Sequence, residues 1–123
     1  MEHGSISIRP FIGAKDFENS RSFYTDLGFK EVVLANNFSY FESGNVGFYL
    51  QDFYVKDWID NTMIFMEVNN VSEFWNQLEQ LDLPGKYKEV KLVPIKNLDW
   101  GRECFVHDPS GVLWHFGEFY NKS

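Results

Sequence analysis

The sequence predicts an α+β fold in which two consecutive βαβββ units form curved mixed sheets around a concave pocket, with their helices outside. Three observations carry this prediction. Residues 17–27 and 71–81 place apolar side chains at the 3/4 spacing of amphipathic helices. Short apolar runs punctuated by Asn, Gly, Asp and Pro surround both stretches. The order strand, helix, three strands occurs twice, with weak matches at an offset of 54 such as Tyr24 with Leu78 and Leu27 with Leu81.

The first unit spans 5–51. Residues 5–14 alternate loosely through Ile6, Ile8, Phe11 and Ile12 and read as a strand. Pro10 cannot donate to a ladder, so this strand is an edge, a bend or a crossing point. Asp16 is placed as an N-cap; Phe17, Ser20, Phe23, Tyr24 and Leu27 form the apolar face that follows, and Gly28 stops the helix. Strands over 30–35, 38–43 and 46–51 are separated by hairpin turns at Asn36-Asn37 and Gly44-Asn45.

Residues 52–61 read as a polar and aromatic linker, and the second unit spans 62–119. A strand over 62–68 ends at Asn69-Asn70. Val71, Phe74, Trp75, Leu78 and Leu81 then form the second helix, which Pro84-Gly85 breaks. Strands over 88–93, 103–107 and 112–119 complete the unit, the last two joined by the tight turn Asp108-Pro109-Ser110-Gly111. At 123 residues, the whole is expected to be one domain.

Composition bounds the function. Eleven Lys and Arg against eighteen Asp and Glu give a net charge of −7, which disfavours nucleic acid and attracts cations. No run approaches a membrane span, and the N-terminus lacks the apolar core of a signal peptide. A single cysteine, Cys104, leaves no internal disulfide and no cysteine-built zinc site, so a cytoplasmic location is expected. The 13 Phe, 6 Tyr and 4 Trp are too many for so small a core; some are expected to line a pocket or a subunit interface.

Catalytic signals are sparse. There is no G-x-S-x-G elbow, Gly-rich phosphate loop or H-E-x-x-H. His107 and His115 share a strand parity across a turn, and Cys104 has the opposite parity. Glu67 shares a strand face with Met63 and Phe65, where it is open to three roles: a general base, a partner for Arg9, or a cation-binding carboxylate. His115 is open to two, a packed imidazole or a hydrogen-bond partner for a ligand.

The stretches DFENSRSFYTDLGF, DNTMIFMEV and DWGRECFVHDPSGVLWHF, within the doubled βαβββ order, resemble the vicinal oxygen chelate superfamily of glyoxalases, extradiol dioxygenases and bleomycin-resistance proteins. The resemblance covers roughly residues 5–119 and is nearest to the bleomycin-resistance branch. In the enzymes of this superfamily, His, Glu or Gln on the first and last strand of each unit hold a divalent metal. The matching positions here are Arg9, Tyr49 (Gln51 if the register slips by two), Met63 and His115. Arg offers no lone pair and Met is a weak ligand, so no metal and no cofactor are expected.

In the bleomycin-resistance branch, the resemblance implies a homodimer that exchanges its N-terminal strand near a proline, here Pro10. Such a dimer sequesters a planar, cationic ligand in an aromatic crevice between subunits. The implied ligand-binding residues are Phe38, Phe65, Glu67, Trp100 and His115, with Arg9 and Tyr49 at the floor of one concave cavity. An Arg9–Glu67 salt bridge is expected there. The alternative function is a glyoxalase- or dioxygenase-type enzyme with an atypical metal site.

Overall fold

The computed structural model describes residues 1–121. The first unit runs β1 (Phe11–Gly13), α1 (Phe17–Asp26), β2 (Lys30–Ala35), β3 (Phe38–Ser43) and β4 (Val46–Gln51). A short helix, α2 (Lys56–Asp60), leads to the second unit: β5 (Met63–Glu67), α3 (Val71–Leu81), α4 (Leu83–Lys86), β6 (Lys91–Asn97), β7 (Gly101–His107) and β8 (Leu113–Phe119). Each unit forms a four-stranded mixed sheet, in the orders β1-β4-β3-β2 and β5-β8-β7-β6, with β1 parallel to β4 and β5 parallel to β8. The doubled βαβββ order is therefore present.

Both main helices start where the sequence places their caps. The Asp16 carboxylate accepts from the Asn19 amide and the Asn70 side chain accepts from the Glu73 amide, each satisfying one of the donors a helix start leaves open. After α1 the chain reverses through Gly28 at φ 106°, a conformation that costs a residue without Cβ little. Phe17, Ser20, Phe23 and Tyr24 are buried on α1; Val71 and Leu78 are buried on α3.

One core joins the units. Tyr24 packs on Phe48 of β4 at 4.8 Å and on Trp114 of β8 at 5.8 Å, and Phe48 meets Trp114 at 5.3 Å. Each sheet thus turns one face to the helices and the shared core and leaves its other face uncovered.

Four elements differ from the sequence expectation. The first strand is only three residues long; residues 1–9 leave the sheet, with Ile6 and Ile8 97% and 94% exposed. Pro10 sits at this departure, lacking the N–H that would extend the ladder while its carbonyl accepts from the Tyr49 amide. The linker contains α2 because Ile59 is buried and Lys56 pairs with Asp60 one turn on. The expected breaker Pro84-Gly85 lies inside α4, where proline at the first turn gives up no helical bond. Finally, β6 begins and ends later than expected and carries Pro94. It is an edge strand, and its register shifts between Val93 and Lys96, which accommodates the proline. Among the described residues, no helix is long and apolar enough to cross a membrane.

Candidate ligand-binding site

Strand alternation sorts the candidate residues. On β5, Ile64 and Met66 pack against the core, whereas Met63 and Phe65 stand 63% and 45% exposed and Glu67 is exposed. On β8, Trp114 and Phe116 are buried, and His115 and Gly117 share the uncovered face with their ladder partners Phe65 and Glu67. Gly117 is required there: a Cβ on it would stand 2.6 Å from Phe65 Cζ. Over this glycine floor Phe65 meets Trp100 edge-on at 5.8 Å, and Trp100 meets Phe119 at 5.0 Å.

His115 lies in the same face. Its Nδ1 is 2.7 Å from Glu103 Oε1, and its ring meets Phe105 edge-on at 4.9 Å. Glu103 is buried. Its neighbour Cys104 points into the core, where burial pushes the thiol up to about 11, far from the thiolate a nucleophile needs.

The uncovered face of the first sheet is also aromatic. Phe38 stacks on Tyr49 at 5.2 Å and on Phe11 at 5.9 Å, while Arg9 lies 4.3 Å above the Tyr40 ring and donates from Nη1 to the Tyr49 hydroxyl at 3.0 Å. Beside it opens a hollow of about 600 Å³ lined by Phe11, Phe38, Phe53, Gln51 and Asp52, among others.

Direct contacts link the expected site residues into two groups. Arg9, Phe38 and Tyr49 belong to the first sheet; Phe65, Glu67, Trp100 and His115 belong to the second. Phe65 and Glu67 border a separate cleft of about 250 Å³ with Pro10, Gly47 and Trp114. Among the described residues, no ring contact or hydrogen bond links Arg9, Phe38 or Tyr49 to the second group. The expected Arg9–Glu67 salt bridge is not formed: Arg9 is taken by the two tyrosines of its own sheet, and no ion pair among the described residues involves Glu67.

Of the four positions that match the family's metal ligands, Arg9 and Tyr49 are bonded to each other, Met63 offers a thioether, and His115 alone presents a nitrogen, Nε2, with Nδ1 held by Glu103. Among the described residues, no group of three or more His, Cys, Asp or Glu could hold a metal ion. The sequence reading passed over Glu103, Phe105, Phe11, Tyr40 and Phe119 as members of these faces. Glu103 had a usable signal, since it shares parity with His115 across a hairpin whose register the Asp108–Gly111 turn sets.

The chain belongs to the Glyoxalase/Bleomycin resistance protein/Dioxygenase superfamily, whose family model matches residues 7–116. No curated protein matches it. Among solved structures, a bleomycin-binding protein complexed with bleomycin superposes with a TM-score of 0.78 at 16% identity, covering 96% of this chain and all of that one. The bleomycin-binding protein from bleomycin-producing Streptomyces verticillus, complexed with copper(II)-bleomycin, gives 0.79 at 22% identity over 94% and 97%. Lactoylglutathione lyase from Agrobacterium tumefaciens gives 0.70 at 16% identity over 94% and 96%. At these identities the likeness is one of fold, and the fold is shared by binding proteins and enzymes alike.

Proposed function

We propose that this chain is a metal-independent binding protein of the cytoplasm that sequesters a planar, cationic small molecule in an aromatic crevice between two copies of itself. The observation that carries the reading is the pair of uncovered aromatic faces, one per sheet, each continuous within itself. Phe11 is 58% exposed, and Phe65 and Trp100 are half-buried, an unusual amount of ring surface to leave open to water. A second copy would lay the Phe38 face of one chain against the Phe65–Trp100 face of the other. Arg9, Phe38 and Tyr49 would then meet Phe65, Glu67, Trp100 and His115 across the interface.

The exposed arm supports association. Ile6 and Ile8 have no cover in a single chain, and Pro10 directs the arm away from its own sheet. Charge supports the ligand class: the chain carries −7, and Glu67 stands on the Phe65 face with no ion pair among the described residues. A flat group between two such rings gains roughly 0.5–1.5 kcal/mol per ring beyond area burial.

Structural relatives crystallised with bleomycin make metal-free bleomycin the first probe. Calorimetric titration should show saturable binding, weakened by about 2 kcal/mol in Trp100→Ala. Failure of the wild-type protein to bind bleomycin or any flat organic cation would remove the reading. Binding unchanged in Trp100→Ala would move that ring from the ligand to the subunit contact.

A further inference from the structure

Among the described residues, one buried side-chain nitrogen or oxygen has no hydrogen-bond partner: Nε2 of His115. Buried polar atoms are nearly always paired, so an orphan on an uncovered, aromatic sheet face calls for an explanation. Its ring is firmly held. Nδ1 stands 2.7 Å from the buried carboxylate of Glu103, and Phe105 packs edge-on at 4.9 Å. The register explains how Glu103 reaches it. Glu103 is paired across the β7–β8 ladder with Gly117, which has no side chain, so the carboxylate leans diagonally to His115.

Facing an ionised carboxylate, which only accepts, a neutral imidazole would carry its proton on Nδ1 and leave a bare lone pair at Nε2. The pair is oriented by a second residue, as a purpose-built acceptor is.

Resting on the aromatic crevice proposed above, we infer that His115 Nε2 is the polar anchor of that crevice. It accepts a hydrogen bond from an amino N–H of a flat cationic ligand, with Glu103 as the positioning residue that holds the accepting tautomer. The ligand class narrows accordingly, to heteroaromatic cations with free exocyclic amino groups over those whose amino groups are fully alkylated. Phe65, the ladder partner of His115, is 45% exposed and stands beside it on the same sheet face.

Two dyes of one shape test this. Proflavine and acridine orange are both planar acridine cations, but the first bears two free amino groups and the second two dimethylamino groups. Fluorescence titration of the full chain should show proflavine binding at least about tenfold more tightly, the worth of one well-made hydrogen bond. In Glu103→Gln the amide can donate to Nδ1, which moves the ring proton to Nε2 and turns the acceptor into a donor. The preference should then shrink to about twofold or less, as it should in His115→Phe. Two-bond proton–nitrogen NMR, assigned with His115→Phe, should show the Nδ1–H tautomer in the wild type and its loss in Glu103→Gln. A loss of fold alone would not produce that signature in variants that keep the wild-type circular dichroism.

Equal affinities for the two dyes in the wild type overturn the inference and leave the crevice standing. A proflavine preference that survives both substitutions does the same. An Nε2–H tautomer in the wild type also overturns it. Binding of neither dye overturns the crevice reading and this inference with it.

Discussion

The Tyr24 hydroxyl donates to Asp108 Oδ2 at 2.6 Å and accepts from Trp114 Nε1 at 2.9 Å, tying the first helix of one unit to the turn and last strand of the other. Asp108 Oδ1 meanwhile accepts from the backbone amides of Ser110, Gly111 and Val112, so a single buried carboxylate shapes the Asp108–Gly111 turn and anchors the shared core. Burial, then the neighbouring Asp108 carboxylate, pushes the Tyr24 phenol well above its ordinary range, so it remains a donor at any working pH.

Tyr24→Phe keeps the ring and removes the bridge. Asp108 Oδ2 and the Trp114 indole N–H would both lose a partner while buried. The expected loss is about 2–4 kcal/mol of folding stability, seen as a lower midpoint in urea at unchanged slope. A midpoint within error of wild type would show that water replaces the hydroxyl at no cost.

A second prediction concerns acid. Glu31 accepts from Arg21 Nε and from Ser39 Oγ, each at 2.6 Å. Burial alone would push its carboxyl up, but the Arg21 guanidinium and the Ser39 hydroxyl outweigh that and hold it below its ordinary value. The folded state therefore binds a proton less readily than the unfolded one. The stability this contributes is complete above the ordinary carboxylate range and is lost as pH falls through the lowered value. Glu31→Gln should cost about 1 kcal/mol at neutral pH and progressively less in acid. A deficit that stays constant with pH would contradict the assignment.

The exposed arm gives a third. Sedimentation at micromolar concentration should give twice the 14.5 kDa chain mass, and removal of residues 1–9 should shift the protein toward monomer. An arm-deleted protein that remains as dimeric as the full chain would show that the arm takes no part in association.

Much of this architecture was legible in the sequence because it rests on local signals. The caps Asp16 and Asn70 and the helical spacing that follows them placed both main helices to within a residue. Alternation on β5 put Phe65 and Glu67 with Met63 on one strand face, and all three are exposed. Tertiary context decided the rest. Residues 5–9 alternate as a strand does, yet nothing in the chain's own sheet receives them. Pro94 reads as a strand breaker and is tolerated because β6 is an edge strand with a register shift. The sequence placed the candidate residues on strand faces but not in contact with one another. Parity shows which side of a sheet a ring occupies, and it carries no information on whether two sheets of one chain face a common space. The Glu103–His115 pair lay within reach of the register that the Asp108–Gly111 turn sets, but it is diagonal across the ladder, and parity alone does not single out a diagonal partner.

The central claim, a crevice built from the Phe38 face of one copy and the Trp100 face of another, is open to one direct measurement. Phe38→Ala and Trp100→Ala should each abolish tight binding of bleomycin, since every crevice in either homodimer lacks one ring. Unfolding the two variants together and refolding the mixture creates mixed dimers, in which one of the two crevices draws Phe38 and Trp100 from unmutated positions. Calorimetric titration of that mixture should recover about a quarter of the wild-type number of sites, at wild-type affinity. Recovery of no sites from a mixture shown to contain mixed dimers would mean that both rings must come from one chain, and would contradict the account.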